Sequence, residues 1–146
     1  MARVTAAAFR SIVARANGGV KPSKYRNKKT IGFDKDGTVV KLDSKREAKR
    51  WAQLQLMERR GEIIELQRQV SYTFRLPGEP DRFLMGPPSK KTGRRTKHRY
   101  VADFVYREVA NPETWVVEDV KGVRTDRYRC NWGLMDLFYN IQIRET

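Results

Sequence analysis

The sequence predicts one α/β domain in which a short hairpin is followed by helix, strand, strand, strand, helix and strand. Three observations predict it. Val70, Tyr72, Phe74 and Leu76 alternate with Ser71, Thr73 and Arg75, the two-residue period of a half-buried strand. Residues 99–107 and 115–121 read as two more strands, with the Asn111-Pro112 turn between them. Segments opening at Ser44 and at Asp126 read as helices, the first with apolar residues at helical spacing. A chain of 146 residues is about one domain with one ordinary core.

Taken in order, residues 1–29 carry Arg3, Arg10, Arg15, Lys21, Lys24, Arg26, Lys28 and Lys29 and no acidic residue. Residues 4–16 have helical character, which Gly18, Gly19 and Pro22 break. A basic arm over 1–23, ahead of a domain over 24–146, is favoured over an organelle-targeting leader of similar composition. Thr30–Phe33 and 38–40 flank Asp34-Lys35-Asp36-Gly37, a hairpin signal. Ser44 with Glu47 three residues on is a capping box. Ala48, Trp51, Ala52 and Leu54 continue that helix, and Gly61 is its stop. Residues 77–98 read as a long loop with four prolines and the basic cluster Lys90, Lys91, Arg94, Arg95 and Lys97. The last helix is expected over 126–138 and a final short strand over 141–143. Trp51 and Trp132 are expected in the core. Core is also favoured for Trp115, over a base-stacking role. His98 reads as a loop residue rather than a ligand.

Charge narrows the function classes. Thirty-one Lys and Arg against seventeen Asp and Glu give a formal net charge of +14, a surface that attracts polyanions such as nucleic acid. No apolar run approaches the roughly 20 residues that span a bilayer, so no membrane partner is expected. Cys130 is the only cysteine, which removes an intrachain disulfide and any cysteine-rich zinc site and fits a reducing, cytoplasmic setting. His98 is the only histidine, so chemistry here must run on carboxylates and lysine.

Val117, Asp119 and Lys121 share one face of their strand, while Glu118 points the other way. Asp103 lies between Val101 and Val105 on a face of the preceding strand, where a carboxylate is costly unless compensated. A hairpin centred near residue 111 sets Asp103 opposite Asp119. Two carboxylates so placed repel, and a divalent cation removes the conflict. Oxygen-only ligands suit Mg²⁺, with Mn²⁺ as a substitute. Lys121 can orient an attacking water and offset charge developing on a phosphodiester. Gly122 leaves room for a backbone to approach.

Tyr100-Val101-Ala102-Asp103-Phe104 followed by Val117-Glu118-Asp119-Val120-Lys121-Gly122 resembles the PD-(D/E)XK nuclease signature. Leu42-Asp43-Ser44-Lys45-Arg46-Glu47-Ala48 resembles the first core helix of that superfamily. The resemblance covers about 24–76 and 99–144, and is nearest in style to small phage-associated endonucleases akin to Holliday-junction resolvases. It implies a restriction-endonuclease-like αβββαβ core with a mixed central sheet flanked by helices. It further implies a magnesium-dependent DNA endonuclease acting on branched or otherwise structured DNA, in the host-cell cytoplasm if phage-encoded. Asp103 and Asp119 would be metal ligands with the Val120 carbonyl, Lys121 the catalytic lysine, and Glu47 a further metal or water-positioning residue. Ala102 stands where the superfamily has proline, and Asp119 replaces the commoner glutamate.

Alternatives stay open at several positions. Glu47 is equally the capping-box partner of Ser44. Gln69 is either a strand-end polar residue or a contact to the site or DNA. Lys90, Lys91, Arg94, Arg95 and Lys97, with Arg124, Arg127 and Arg129, are candidate phosphate contacts, against a solvated loop and helix face. Cutting both strands of a symmetric substrate calls for a homodimer. The rival functions are a non-catalytic nucleic-acid-binding protein of the same fold and an RNA-directed nuclease.

Overall fold

A computed structural model describes residues 29–121 and 123–146. The basic arm expected over 1–23, and Gly122, lie outside the described residues. The chain divides into two compact units, the first ending at Gln55 and the second running Leu56–Thr146.

In the first unit β1 (Thr30–Phe33) and β2 (Val39–Leu42) pair antiparallel, as the Asp-Gly signal predicts. Gly37 sits at φ 83°, the left-handed backbone that glycine adopts without a Cβ clash. Helix α1 (Lys45–Arg59) begins here. Ser44 Oγ accepts from the Glu47 amide at 3.1 Å, and Glu47 Oε2 accepts from the Asp43 amide at 2.8 Å. The capping residues expected from the sequence are therefore in place. Trp51 Nε1 and Gln55 Nε2 both donate to the Phe33 carbonyl, at 2.9 and 2.7 Å, which ties the helix to the hairpin. Trp51 is buried, as expected.

The second unit is a mixed four-stranded sheet in the order β3-β4-β5-β6, with helix α2 (Asp126–Tyr139) between its last two strands in sequence. Strands β3 (Ile63–Thr73), β4 (Arg99–Glu108) and β5 (Asn111–Asp119) are antiparallel neighbours, and β6 (Arg144–Glu145) runs parallel to β5. The α/β class and the element order are those the sequence predicts. Thr125 Oγ1 caps α2 by accepting from the Tyr128 amide at 3.2 Å, and Asn140 at φ 54° ends it. Phe74, Tyr100, Ala102, Val105, Val117, Tyr128, Met135 and Ile143 form the core cluster.

Several boundaries differ from expectation, each for a local reason. Strand β3 starts at Ile63, ahead of the alternating stretch, because Glu65 (φ 56°) and Gln69 (φ 52°) take left-handed backbone and the register shifts between Ile64 and Gln67. Those breaks erase the two-residue period over that half of the strand. The β4–β5 turn falls at 109–110, and Asn111 and Pro112 already belong to β5. One step along β4, from Arg107 to Glu108, matches four along β5, from Trp115 to Asn111, so Pro112 sits in a bulge that needs no ladder donor. Residues 77–98 are ordered rather than structureless: the Leu84 amide donates to the Phe74 carbonyl at 2.8 Å and the His98 amide to the Leu84 carbonyl at 2.7 Å. Strand β6 forms at Arg144–Glu145, beyond the expected 141–143, because Ile141 and Ile143 pack on the core instead. Trp132 is 40% exposed and Trp115 38%, so neither is a core residue. Trp115 instead lies under the Arg107 guanidinium, 5.1 Å from its ring centre.

The left-handed residue in β3 sets a testable expectation. Glycine in a strand ordinarily costs about 0.5–1 kcal/mol, and a non-glycine residue in left-handed backbone costs about 1–2 kcal/mol. Gln69→Gly should therefore leave stability level or slightly raised in urea unfolding. A loss of the ordinary strand-glycine size would contradict the strained backbone at this position.

Candidate functional site

The site is built where β4 and β5 leave their ladder. Phe104 pairs with Glu118, Val105 with Val117, Tyr106 with Val116 and Arg107 with Trp115. This is the register expected from the sequence, and Asp103 and Asp119 come next in line. Glu118 points to the other face, where it accepts from Tyr106 Oη at 2.9 Å and from Thr146 Oγ1 at 3.0 Å. Arg144 reaches the same Tyr106 hydroxyl at 3.0 Å.

Asp119 is fully buried and Asp103 half-buried. Asp119 Oδ2 accepts from Tyr100 Oη at 3.0 Å. Asp103 Oδ2 accepts from the Val120 amide at 2.9 Å, which fixes the backbone that follows Asp119. Lys121 Nζ stands 2.6 Å from Asp119 Oδ1 and 5.1 Å from the centre of the Tyr128 ring. That ion-pair contact lacks hydrogen-bond geometry, so among the described residues Oδ1 is a buried carboxylate oxygen with no hydrogen-bond donor. The Tyr128 hydroxyl is likewise buried; burial, then the Glu145 carboxylate beside it, hold it above its ordinary value, though the contact falls outside hydrogen-bond geometry.

Electrostatics make the two aspartates one unit. Burial, then the hydrogen bond and the charge of Asp119, push the Asp103 carboxyl up to about 8, against the Val120 amide and Lys121, which favour its charge. Two carboxylates this near cannot both ionise cheaply, so Asp103 tends to keep its proton below about pH 8. Burial, followed by the Asp119 charge, holds the Tyr100 hydroxyl well above its ordinary value, so it stays a donor.

Gln69 falls between the β3–β4 pairs Arg68↔Phe104 and Val70↔Ala102, which sets it across from Asp103. Its left-handed φ therefore lies in the strand beside the carboxylate pair. Tyr100 and Asp103, three residues apart on β4, both engage Asp119, a spacing out of step with strand alternation. The sequence reading missed Tyr100 and Tyr128 as site residues. Tyr100 opens the motif that contains Asp103, which was the available signal. Nothing in the sequence marked Tyr128.

Glu47 belongs to the first unit, where it is buried and caps α1. Among the described residues no group of three or more histidine, cysteine or acidic side chains is placed to hold a metal. The structure thus brings together Asp103, Asp119, Val120 and Lys121. The basic residues divide. Arg124 pairs with Glu145, its Nη2 at 2.7 Å, and Arg129 lies 3.9 Å from Asp126. Arg95 Nε turns back to the Gly86 carbonyl at 3.1 Å, and Lys97 Nζ lies 3.6 Å above the Phe83 ring. Lys90, Lys91, Arg94 and Arg127 are exposed. His98 Nε2 is 2.7 Å from Asn131 Oδ1 and its ring packs on Phe74, which is a structural placement.

Residues 22–145 match the family described as a protein of unknown function (DUF1064), and the chain belongs to that family. No curated protein and no solved structure matches the chain. No helix among the described residues is long and apolar enough to cross a membrane.

The shared proton sets the pH behaviour. Asp103 takes up its proton near pH 8 when folded and near 3.8 when unfolded, so the folded state binds more protons between those values. Its contribution to stability is whole below about pH 4 and is lost as pH rises towards 8. In chelator-containing buffer, urea midpoints of the wild type should fall across that window relative to Asp103→Asn. Parallel midpoint curves for the two proteins would remove the shared proton from the description.

Proposed function

We propose that the chain is a magnesium-dependent DNA endonuclease of the PD-(D/E)XK type. The observation that carries this reading is the pair of a half-buried Asp103 and a fully buried Asp119 with Lys121 at its edge. Carboxylates are rarely buried as neighbours without a cation, and the pair keeps a proton in the absence of one. A magnesium ion is typically held by one or two carboxylates, with waters and substrate phosphate filling the other places. Asp103, Asp119 and the Val120 carbonyl fit that set, and Mn²⁺ would fit it too. Asp119 Oδ1 is buried and met by the Lys121 ammonium at 2.6 Å, so an ion bound there would share or displace that contact.

The ion, when bound, supplies Lewis-acid activation of the phosphodiester and of the attacking water. The chain's residues do the rest. Tyr100 holds Asp119 through Oδ2, which leaves Oδ1 facing Lys121. The Val120 amide holds Asp103, so both carboxylates are fixed before substrate arrives. Lys121 keeps its ammonium beside the reacting phosphate and offsets charge that develops on its oxygens. The formal charge of +14 supports a nucleic acid as the substrate. Branched DNA, cut by a homodimer in the cytoplasm, is the proposed setting.

Purified protein incubated with linear, nicked and four-way-junction DNA, with and without Mg²⁺, tests this. Cleavage should require the ion. Asp103→Asn and Asp119→Asn should abolish it while DNA binding persists, and Lys121→Met should slow it by about 10²–10³-fold, the scale of losing one charge-stabilising donor. Mg²⁺ at about 100 times its Kd should stabilise the wild type by about 2.7 kcal/mol and Asp103→Asn by less. A protein that binds DNA but gains neither cleavage nor stability from Mg²⁺ is a binding module, and an RNA substrate preference would redirect the reading.

A further inference from the structure

The second unit has a groove of about 1010 Å³ whose lining includes Pro87, Pro88, Arg94, Lys97, Arg99 and Arg127. Next to it lies a smaller cleft of about 350 Å³ beside Lys121, Tyr100 and Tyr128, and Arg99, Val101 and Arg127 line both. Asp119 lies in contact with Lys121 and Tyr100 at that inner end. No acidic residue is among the lining residues of either cavity. Arg99 and Arg127 carry no ion pair among the described residues, unlike Arg124 and Arg129. A row of cations therefore leads to the carboxylate pair without internal partners to neutralise it.

The walls say what kind of polyanion fits. Prolines 87 and 88 and Val101 offer apolar surface between the cations. A duplex turns its phosphates outward and keeps its bases stacked inside, so it has little use for such walls. An unpaired strand presents both its phosphates and the faces of its bases, and single-strand binders combine a cationic track with apolar or aromatic surface along it. The wall at 86–98 is ordered by its own backbone: the His98 amide is bound to the Leu84 carbonyl at 2.7 Å and the Gly86 amide to the Thr96 carbonyl at 2.8 Å.

We infer that this groove takes an unpaired DNA strand and delivers it to the Asp103–Asp119 pair, with Arg99 and Arg127 gripping its phosphates. The inference deepens the nuclease reading and rests on it for the direction of delivery. It makes single-stranded or frayed segments, such as those at a branch, the part of the substrate that the site holds.

Anisotropy in chelator-containing buffer tests the groove without catalysis. The probes are an oligothymidylate of about 12 nucleotides, within the range of single-strand site sizes, its duplex with oligodeoxyadenylate, and the matching oligouridylate. The oligothymidylate should bind at least about tenfold tighter than the duplex. Its affinity should fall with salt, and Arg99→Gln with Arg127→Gln should lower the log–log slope by about 1.4, at roughly 0.7 per phosphate contact on a single strand. Arg60→Gln with Arg82→Gln, which removes two cations outside the groove lining, should leave the slope unchanged. Equal or tighter duplex binding, or equal slopes for the two double variants, would overturn the inference. Tighter oligouridylate binding would overturn its choice of DNA. Cleavage of duplex by a protein that shows no single-strand preference would leave the nuclease reading standing and this one refuted. Single-strand preference without cleavage in Mg²⁺ would do the reverse.

Discussion

Two carboxylates that cannot both be charged sit at the end of one antiparallel ladder, and much of the second unit is arranged around that conflict. The β4–β5 register brings Asp103 and Asp119 next in line beyond the Phe104–Glu118 pair. Burial raises the cost of the second charge, and the Val120 amide, the Tyr100 hydroxyl and the Lys121 ammonium each offset part of it. Each of these three groups comes from a segment adjoining the pair in sequence. The local chain thus satisfies much of what the pair demands without help from distant elements.

In the proposed reading a bound cation would take over the role that the proton plays at this pair. Both neutralise one unit or more of negative charge in a place that solvent reaches poorly. Lys121 neutralises from one side, which keeps the site stable enough to fold, and its contact with Asp119 is the one a competing cation must share or displace. The proposed chemistry and the folding of the site therefore draw on one set of charges, and substitutions in it change both.

Sequence alone made the frame legible where periodicity was intact. The alternation at Val70–Tyr72, the capping residues Ser44 and Glu47, and the isolated Asp103 in an apolar strand all survive as structure, while the strand stops at Thr73, short of Phe74 and Leu76. What failed to show was whatever depended on a broken period or on distant pairing. The first half of β3 was hidden because Glu65 and Gln69 interrupt its alternation with left-handed backbone. The pairing of 84 with 74 and 98 was hidden because prolines and lysines dominate 77–98 while the bonds that order it are backbone bonds. Trp132 was misplaced because an aromatic in a helix resembles a core residue until the face it occupies is known. Within the site, Asp103, Asp119 and Lys121 were readable because alternation on two strands places them. Tyr128 was not, because its approach depends on how α2 lies on the sheet.

Glu118 and Asp119 are consecutive, both fully buried, and each meets a tyrosine hydroxyl from β4, Tyr106 for one and Tyr100 for the other. A slip of β5 by one residue would exchange their faces. The misregistered strand would still offer each tyrosine a carboxylate, so hydrogen bonding on the sheet does little to reject it. The two faces differ at the edge, where Arg144 meets Tyr106 and Glu108 on one and Lys121 meets Asp119 and the Tyr128 ring on the other. The two-residue strand β6 thus carries, in Arg144, the contacts that only the native register of β5 satisfies.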